Sequence, residues 1–210
     1  AMCRLYAEPL TRCGPTVQPP LPVERDRFVI LPRKRGKLPV VGFSGYTYAN
    51  KRKGEDLVKG LLASPIATKC DWRASGRGWP VETRGYTWAD MPSFYQGLDV
   101  LVVPSRVEGI PMPPLEALAC GVSVVIPRGV GLLDELTDLP GIHRYERGNL
   151  AGLVAALEAA VATRGGVNRE ALRAVTAPYS VENWCRDIAA GISAMLGQGP
   201  AIDAGIDEEN

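Results

Sequence analysis

The sequence predicts an α/β fold: one open parallel sheet with helices on both of its faces. Three observations carry that expectation. Short apolar runs without polar alternation recur along the chain, as in strands buried on both faces. Segments of helical period stand between them. Gly, Pro, Ser and Asn mark most of the junctions, and this alternation is the pattern of a doubly covered parallel sheet.

Leu38–Phe43 is the first apolar run, bounded by Gly and Ser, and reads as a buried strand. Asp56–Leu62 then carries Leu57, Val58, Leu61 and Leu62 at helical spacing. A second strand is expected over Ile66–Trp72, a Gly-rich loop over Ser75–Pro80, and a third, more polar strand over Glu82–Trp88. Asp90–Gln96 reads as a short helix with Asp90 placed to cap it. Leu98–Val103 is a strongly apolar strand, and Pro113–Cys120 a helix stopped by Gly121. Val122–Ile126 is another buried strand, Gly129–Leu136 a turn with a short helix, and Ile142–Tyr145 a short strand. Asn149–Thr163 is an apolar-faced helix through Leu150, Leu153, Val154, Leu157 and Val161. A last helix over Ser180–Leu196 carries the stripe Trp184, Ile188, Ile192, Met195 and Leu196.

The expected organisation is a Pro-rich connector over 1–37 with one short helix near Leu5–Leu10, a sheet domain over 38–165, helices over 166–196, and a Gly-rich acidic disordered tail over 197–210. Ala1 before Met2 reads as a cloning scar.

Composition narrows the function. With 46% hydrophobic and 22% charged residues the chain has the makings of one sizeable core. Its formal charge of +1 asks for neither nucleic acid nor a membrane surface as partner. No apolar run approaches a membrane span and no signal peptide opens the sequence. The five cysteines are odd in number, widely spaced and without a CxxC, as in reduced thiols of a cytoplasmic protein. A single histidine, His143, leaves no His-based metal site; it reads as structural, no DxD occurs, and no metal cofactor is expected.

Ligands of an open parallel sheet bind outside the carboxyl ends of the strands, so the loops after strands are the candidate site. After Leu98–Val103 the chain runs through Ser105, Arg106 and Glu108 into a helix start crowded by Pro111, Pro113 and Pro114. Proline suits a first turn, whose N–H groups have no intrahelical partner. The N–H groups left to meet an anion are those of Gly109, Ile110 and Met112, at the positive end of the helix dipole. Glu108 lies before this helix and Glu116 about one turn inside it. Two readings stand on spacing alone: a pair of carboxylates accepting sugar hydroxyls, or acidic residues favoured by a helix amino terminus.

The motif EGIPMPPLEALACGVSVV, 108–125, resembles the E-x7-E signature of retaining glycosyltransferases with the two-domain GT-B fold, in particular the family 4 group. DVLVVPS at 99–105, VVGFSGYTYANKRKG at 40–54 and DMPSFYQGLDV at 90–100 are similar to the segments around that signature, so the resemblance spans roughly 38–163. It implies a Rossmann-like nucleotide-sugar-binding domain, the C-terminal half of a GT-B fold with its C-terminal helices. By position it gives Glu116 to the donor ribose and Glu108 to the transferred hexose and reacting centre. The N–H groups of Gly109, Ile110 and Met112 fall to the diphosphate or sugar, and the loop at Gly85, Tyr86 and Thr87 to the base.

This chain departs from the family where an arginine commonly follows the first-strand glycine: here Tyr46 follows Gly45. Lys53, before Gly54, matches the family lysine, and Lys51 or Arg52 stands in for the absent arginine. Without a metal, the leaving diphosphate must be met by such cations and a helix end; Arg77 and Arg106 lie behind them.

The resemblance further implies an N-terminal acceptor domain, with 3–23 similar to its end and linker, and the last helix crossing back onto it. Donor binding without efficient transfer is the expectation for this chain alone. The alternatives are a non-catalytic nucleotide-binding or regulatory module and, disfavoured by the absence of GxGxxG, a nicotinamide-dependent oxidoreductase.

Other residues keep two readings. Arg33-Lys34-Arg35 with Lys37 is a solvated loop or a phosphate contact. Gly129-Val130-Gly131 is a ligand approach or a tight turn. Trp79 and Trp88 stack on a base or sugar, or pack in the protein. Cys120 reads as buried and inert.

Overall fold

A computed structural model describes residues 21–197. The expected helix near Leu5–Leu10, Cys3, Cys13 and all but the first residue of the expected tail lie outside the described residues.

Six strands form one parallel sheet: β1 (Val40–Tyr46), β2 (Asp71–Arg77), β3 (Thr83–Arg84), β4 (Val100–Val102), β5 (Ser123–Pro127) and β6 (Ile142–Tyr145). Their order is β3-β2-β1-β4-β5-β6, and every pairing is parallel. The helices are α1 (Glu55–Leu62), α2 (Met91–Gln96), α3 (Met112–Ala119), α4 (Leu150–Thr163), α5 (Arg169–Ala174) and α6 (Val181–Met195), with single 3₁₀ turns at Pro65–Lys69, Gly131–Glu135 and Ala177–Tyr179.

Alternation of side chains along each strand divides the core into two layers. Val41, Phe43, Val100, Val102 and Val125 point to the face covered by Leu57, Val58 and Leu61 of α1 and Leu153 and Leu157 of α4. Val40, Leu101, Val103, Val124 and Ile126 point to the other face, under Phe94 and Tyr95 of α2, Leu115 and Leu118 of α3, and Leu172 of α5. Strands buried on both faces explain the unbroken apolar runs of the sequence.

Several local expectations change. Pro65 starts a 3₁₀ turn where the sequence suggested a strand from Ile66, and the strand begins at Asp71. The supposed Gly-rich loop is strand through Arg77, with Gly76 in the left-handed region at φ 100°. The third strand shrinks to Thr83–Arg84. Asp90 does not cap α2 through its side chain; its carboxylate accepts from Thr87 Oγ1 at 2.6 Å instead. Asn149, Asn168 and Ser180 do cap α4, α5 and α6, each accepting a backbone N–H from its helix's first turn.

The connector is packed into the core over part of its length: Val23 and Phe28 are buried in the α2/α3 layer. Arg173 of α5 clamps it, donating to the carbonyls of Phe28, Ala119 and Arg25. In contrast α6 buries none of its side chains, and Ile192, Met195 and Leu196 stand exposed. No described helix is long and apolar enough to cross a membrane.

Candidate functional site

The strand order reverses between β1 and β4, whose carboxyl ends therefore diverge into loops on opposite sides of the sheet. Such a switch point is where open α/β sheets bind their ligands. One lip of the crevice is the 47–54 loop after β1; the other is the 103–111 loop after β4.

The lips are tied together at their base. Gly54, at φ 76°, lies so close to Pro104 that a Cβ would come within 2.1 Å of its carbonyl oxygen. Arg106 Nη1 and Nη2 meet the two carboxylate oxygens of Asp56 at 2.6 and 2.8 Å, and the Arg106 N–H donates to the Arg52 carbonyl at 2.8 Å. The Arg106 guanidinium beside Asp56 holds that carboxyl below its ordinary range. Gly131, at φ 53°, backs the second lip: an added Cβ would lie 2.2 Å from the Gly109 carbonyl oxygen and 2.4 Å from that of Glu108. The first glycine of Gly129-Val130-Gly131 is open, whereas the second is a packing contact.

The two glutamates of the E-x7-E motif are in different states. Glu108 sits on the second lip, ion-paired to Lys53 from the first and accepting from Ser105 Oγ at 2.8 Å. Lys53 and Glu108 keep 16% and 15% of their side-chain surface, so a ligand can still reach the pair. Glu116, in α3, is 4% exposed and accepts from the Tyr95 hydroxyl at 2.5 Å. Burial raises its pKa, and the bond from Tyr95 opposes that rise.

Tyr95 has one proton to give. With that proton directed at Glu116 Oε2, its 3.1 Å contact with Ser44 makes Ser44 the donor, and Ser44 in turn accepts from Ser75 at 2.9 Å. A directed chain, Ser75 to Ser44 to Tyr95 to Glu116, thus joins β2, β1, α2 and α3 beneath the site.

Of the cations expected here, Lys53 reaches a glutamate of the motif, Glu108. Lys51 occupies the left-handed region at φ 56° in the turn closed by its N–H to the Tyr48 carbonyl. The Arg52 guanidinium lies 3.9 Å from the centre of the Tyr48 ring. Tyr46, 59% exposed, has Arg77 6.0 Å from its ring centre. Gly45 carries its carbonyl to Trp79 Nε1 at 2.8 Å, and Trp79 is buried and stacked on Phe43. Arg106 is committed to Asp56.

Ile110 and Met112 pack on the α2/α3 layer, and α3 starts at Met112 with Pro111 before it and no side-chain cap. Its first turn therefore leaves backbone donors uncovered by any side chain of its own. Tyr86 packs on the Phe94 ring, 5.3 Å between centres, and Thr87 bonds to Asp90. Trp88 is exposed with the Arg27 guanidinium 4.7 Å from its ring centre. His143 lies on β6, away from the crevice, its pKa lowered by burial. Burial pushes the Cys120 thiol up to about 12, in keeping with an inert thiol.

Residues 64–163 match a family model described as "Glycosyl transferases group 1". This segment is similar to the group 1 glycosyl transferases. The segment contains Glu108, Glu116, Tyr95 and Tyr86; Lys53 and β1 precede it. Among curated proteins none matches the sequence.

Solved structures share the fold of this segment and its surroundings. The apo form of the lipopolysaccharide outer core galactosyltransferase WaaB aligns with TM-score 0.72 and 17% identity, over 93% of this chain and 61% of that one. HepE of Anabaena, in complex with UDP and glucose, aligns with TM-score 0.72 and 15% identity, over 92% and 62%. The C-terminal domain of the group 1 glycosyl transferase LpcC from Francisella tularensis aligns with TM-score 0.52 and 16% identity, over 77% of this chain and 95% of that domain. The chain thus spans about three fifths of the length of the first two. The expected Rossmann-like sheet, the C-terminal half of a GT-B fold with its terminal helices, is the fold observed.

Tyr95, Ser44 and Ser75 escaped the sequence reading. Tyr95 stands in a short helix, and no local signal links it to a glutamate 21 positions on.

Proposed function

We propose that this chain is the donor-binding half of a hexosyltransferase that takes a nucleotide-diphosphate sugar. The observation that carries this reading is the pairing of Lys53 with Glu108 across the switch-point crevice, with the second glutamate of the motif, Glu116, held by Tyr95.

In this reading Glu116 offers the carboxylate oxygen not engaged by Tyr95 to the ribose hydroxyls. Lys53 and the start of α3 receive the diphosphate, and Tyr86 and Thr87 flank the base. Glu108 lies at the transferred hexose. When the bond from the anomeric carbon to the β-phosphate oxygen breaks, its electron pair leaves on the diphosphate. Lys53 and the α3 dipole are the groups placed to meet that charge without a metal. The acceptor hydroxyl attacks from the side the leaving group vacates, so configuration is retained, and its proton passes to the departing phosphate.

The acceptor then arrives from a second domain facing these lips. The α6 stripe through Ile192, Met195 and Leu196 is the surface we assign to that domain, and the cytoplasm the compartment. HepE is described in complex with UDP and glucose, which supports a uridine donor as the first to try, with guanosine and adenosine donors next.

A panel of UDP-, GDP- and ADP-sugars in a thermal-shift experiment tests this, with NAD as the control. A ligand at a hundred times its Kd stabilises by about 2.7 kcal/mol. A shift with NAD and none with any sugar nucleotide would refute the donor reading.

A second reading, a nucleotide-binding module without transfer, is favoured by Tyr46 in place of arginine and by Arg52 engaged with Tyr48. Joined to an acceptor domain, a chain that binds donor and never releases free nucleoside diphosphate would establish that reading.

A further inference from the structure

At the edge of the sheet opposite the crevice, the amino ends of β4 and β5 border a cavity of about 130 Å³. Its charge is lopsided: Arg33, Arg35, Arg164 and Arg169 line it around a single carboxylate, Asp99. Asp99 has 3% of its side chain exposed and is already spoken for. It accepts from the Val40 N–H at 2.8 Å and pairs with Arg33 Nη2 at 2.6 Å, while Arg35 Nε and Arg164 Nη1 stand 3.6 Å from its oxygens.

One carboxylate cannot satisfy this many guanidinium forks. Arg164 Nη1 is buried and finds no hydrogen-bond acceptor among the described residues. Its Nη2 is held by the Gly36 and Lys37 carbonyls, which fixes the fork in place. Arg169 is fixed likewise, donating to the carbonyls of Leu31, Gly121 and Cys120. Burial first, and then the like charges of Arg33 and Arg35, lower its pKa. The buried Ser123 hydroxyl adds a neutral donor to the wall.

The whole chain carries a formal charge of only +1, so a cluster this cationic is a local feature with a local cause. If the arginines served only to fasten the 31–37 segment to the sheet, Arg33 on Asp99 and the carbonyl contacts would suffice. The planar fork of arginine matches tetrahedral oxyanions in two-point contact. A cavity of this size has room for a few waters or one such anion.

We propose that this cavity is a phosphate-binding site, separate from the donor crevice. Its ligand is a phosphate group seated among Arg33, Arg35, Arg164 and Arg169, whose negative charge relieves the mutual repulsion of the guanidinium groups. An inorganic phosphate ion and the phosphate of a small metabolite share this chemistry.

Titration calorimetry with inorganic phosphate at low ionic strength tests the proposal on the chain as it stands. Arg164→Gln should weaken phosphate binding by about tenfold or more, the scale of one lost charge-assisted hydrogen bond. Arg35→Gln, at a half-exposed side chain whose loss leaves Arg33 on Asp99, should weaken it without disturbing the fold. Lys53→Ala, at the opposite edge, should leave it within about twofold. Hydrogen exchange should slow on phosphate addition at 33–37 and 164–169. Absence of any binding, or binding lost in Lys53→Ala and kept in both arginine variants, would overturn the site. Glucose 6-phosphate separates the two sources: equal affinity means a free ion, and tighter binding a metabolite.

Discussion

The Tyr95 hydroxyl donates to Glu116 Oε2 at 2.5 Å, so the carboxylate proposed for the ribose is oriented by a fully buried phenol on the neighbouring helix. The bond engages Oε2, and the other carboxylate oxygen is the one proposed to meet the ribose. It also offsets part of the cost of burying Glu116.

Tyr95→Phe removes that donor and keeps the ring. A buried carboxylate oxygen left unsatisfied costs about 1–3 kcal/mol, which for a chain of this size lowers Tm by several degrees. The variant should also bind UDP more weakly, because Glu116 loses its orientation and its pKa rises further. Melting and UDP titration together check this; an unchanged Tm would mean that the bond contributes nothing.

Glu116→Gln should have an opposite sign in the ligand-free chain. A carboxyl whose pKa is raised on folding binds more protons folded than unfolded, so its contribution is greatest at low pH and is lost as pH rises through the folded value. At neutral pH the neutral amide should therefore melt higher than the parent. The gap should close as pH falls to the ordinary value of 4.5. Sugar-nucleotide affinity should fall all the same. A melting difference independent of pH would remove burial of charge as its cause.

Lys53→Ala separates phosphates. The lysine lies at the mouth of the crevice, paired with Glu108, and is proposed to meet the diphosphate. Affinity for UDP should drop about tenfold, and that for UMP much less. Equal losses for the two nucleotides would take Lys53 away from the diphosphate.

Gly131→Ala tests how tightly the second lip is backed. Gly148 is a fair control, since it too has positive φ, 81°, but nothing lies within 4 Å of an added Cβ. Alanine there should cost about 1–2 kcal/mol from conformation alone. At Gly131 the carbonyls of Glu108 and Gly109 also stand in the way, so the loss of stability should be larger and UDP binding should suffer. Equal melting temperatures for both variants would show that the lip yields freely.

The sequence made the central strands legible because a strand buried on both faces is apolar along its middle, as in Val100–Val103 and Val124–Ile126. Glu108 and Glu116 were legible through a spacing set within one loop and one helix. The edge was harder to read: Asp71–Arg77 is mostly polar and holds Gly76 within strand pairing, and Thr83–Arg84 is too short to show a period. Tyr95 meets Ser44 and Glu116 only after three separate elements pack, and the four arginines around Asp99 come from segments more than a hundred positions apart. No local pattern records such meetings.

Gly54 against Pro104 and Arg106 against Asp56 fasten the two lips of the crevice to each other. A ligand arriving there meets a floor whose backbone is already arranged. Its affinity is then diminished little by the ordering of loops, and calorimetry should find a small entropic penalty beside the enthalpy of phosphate contact.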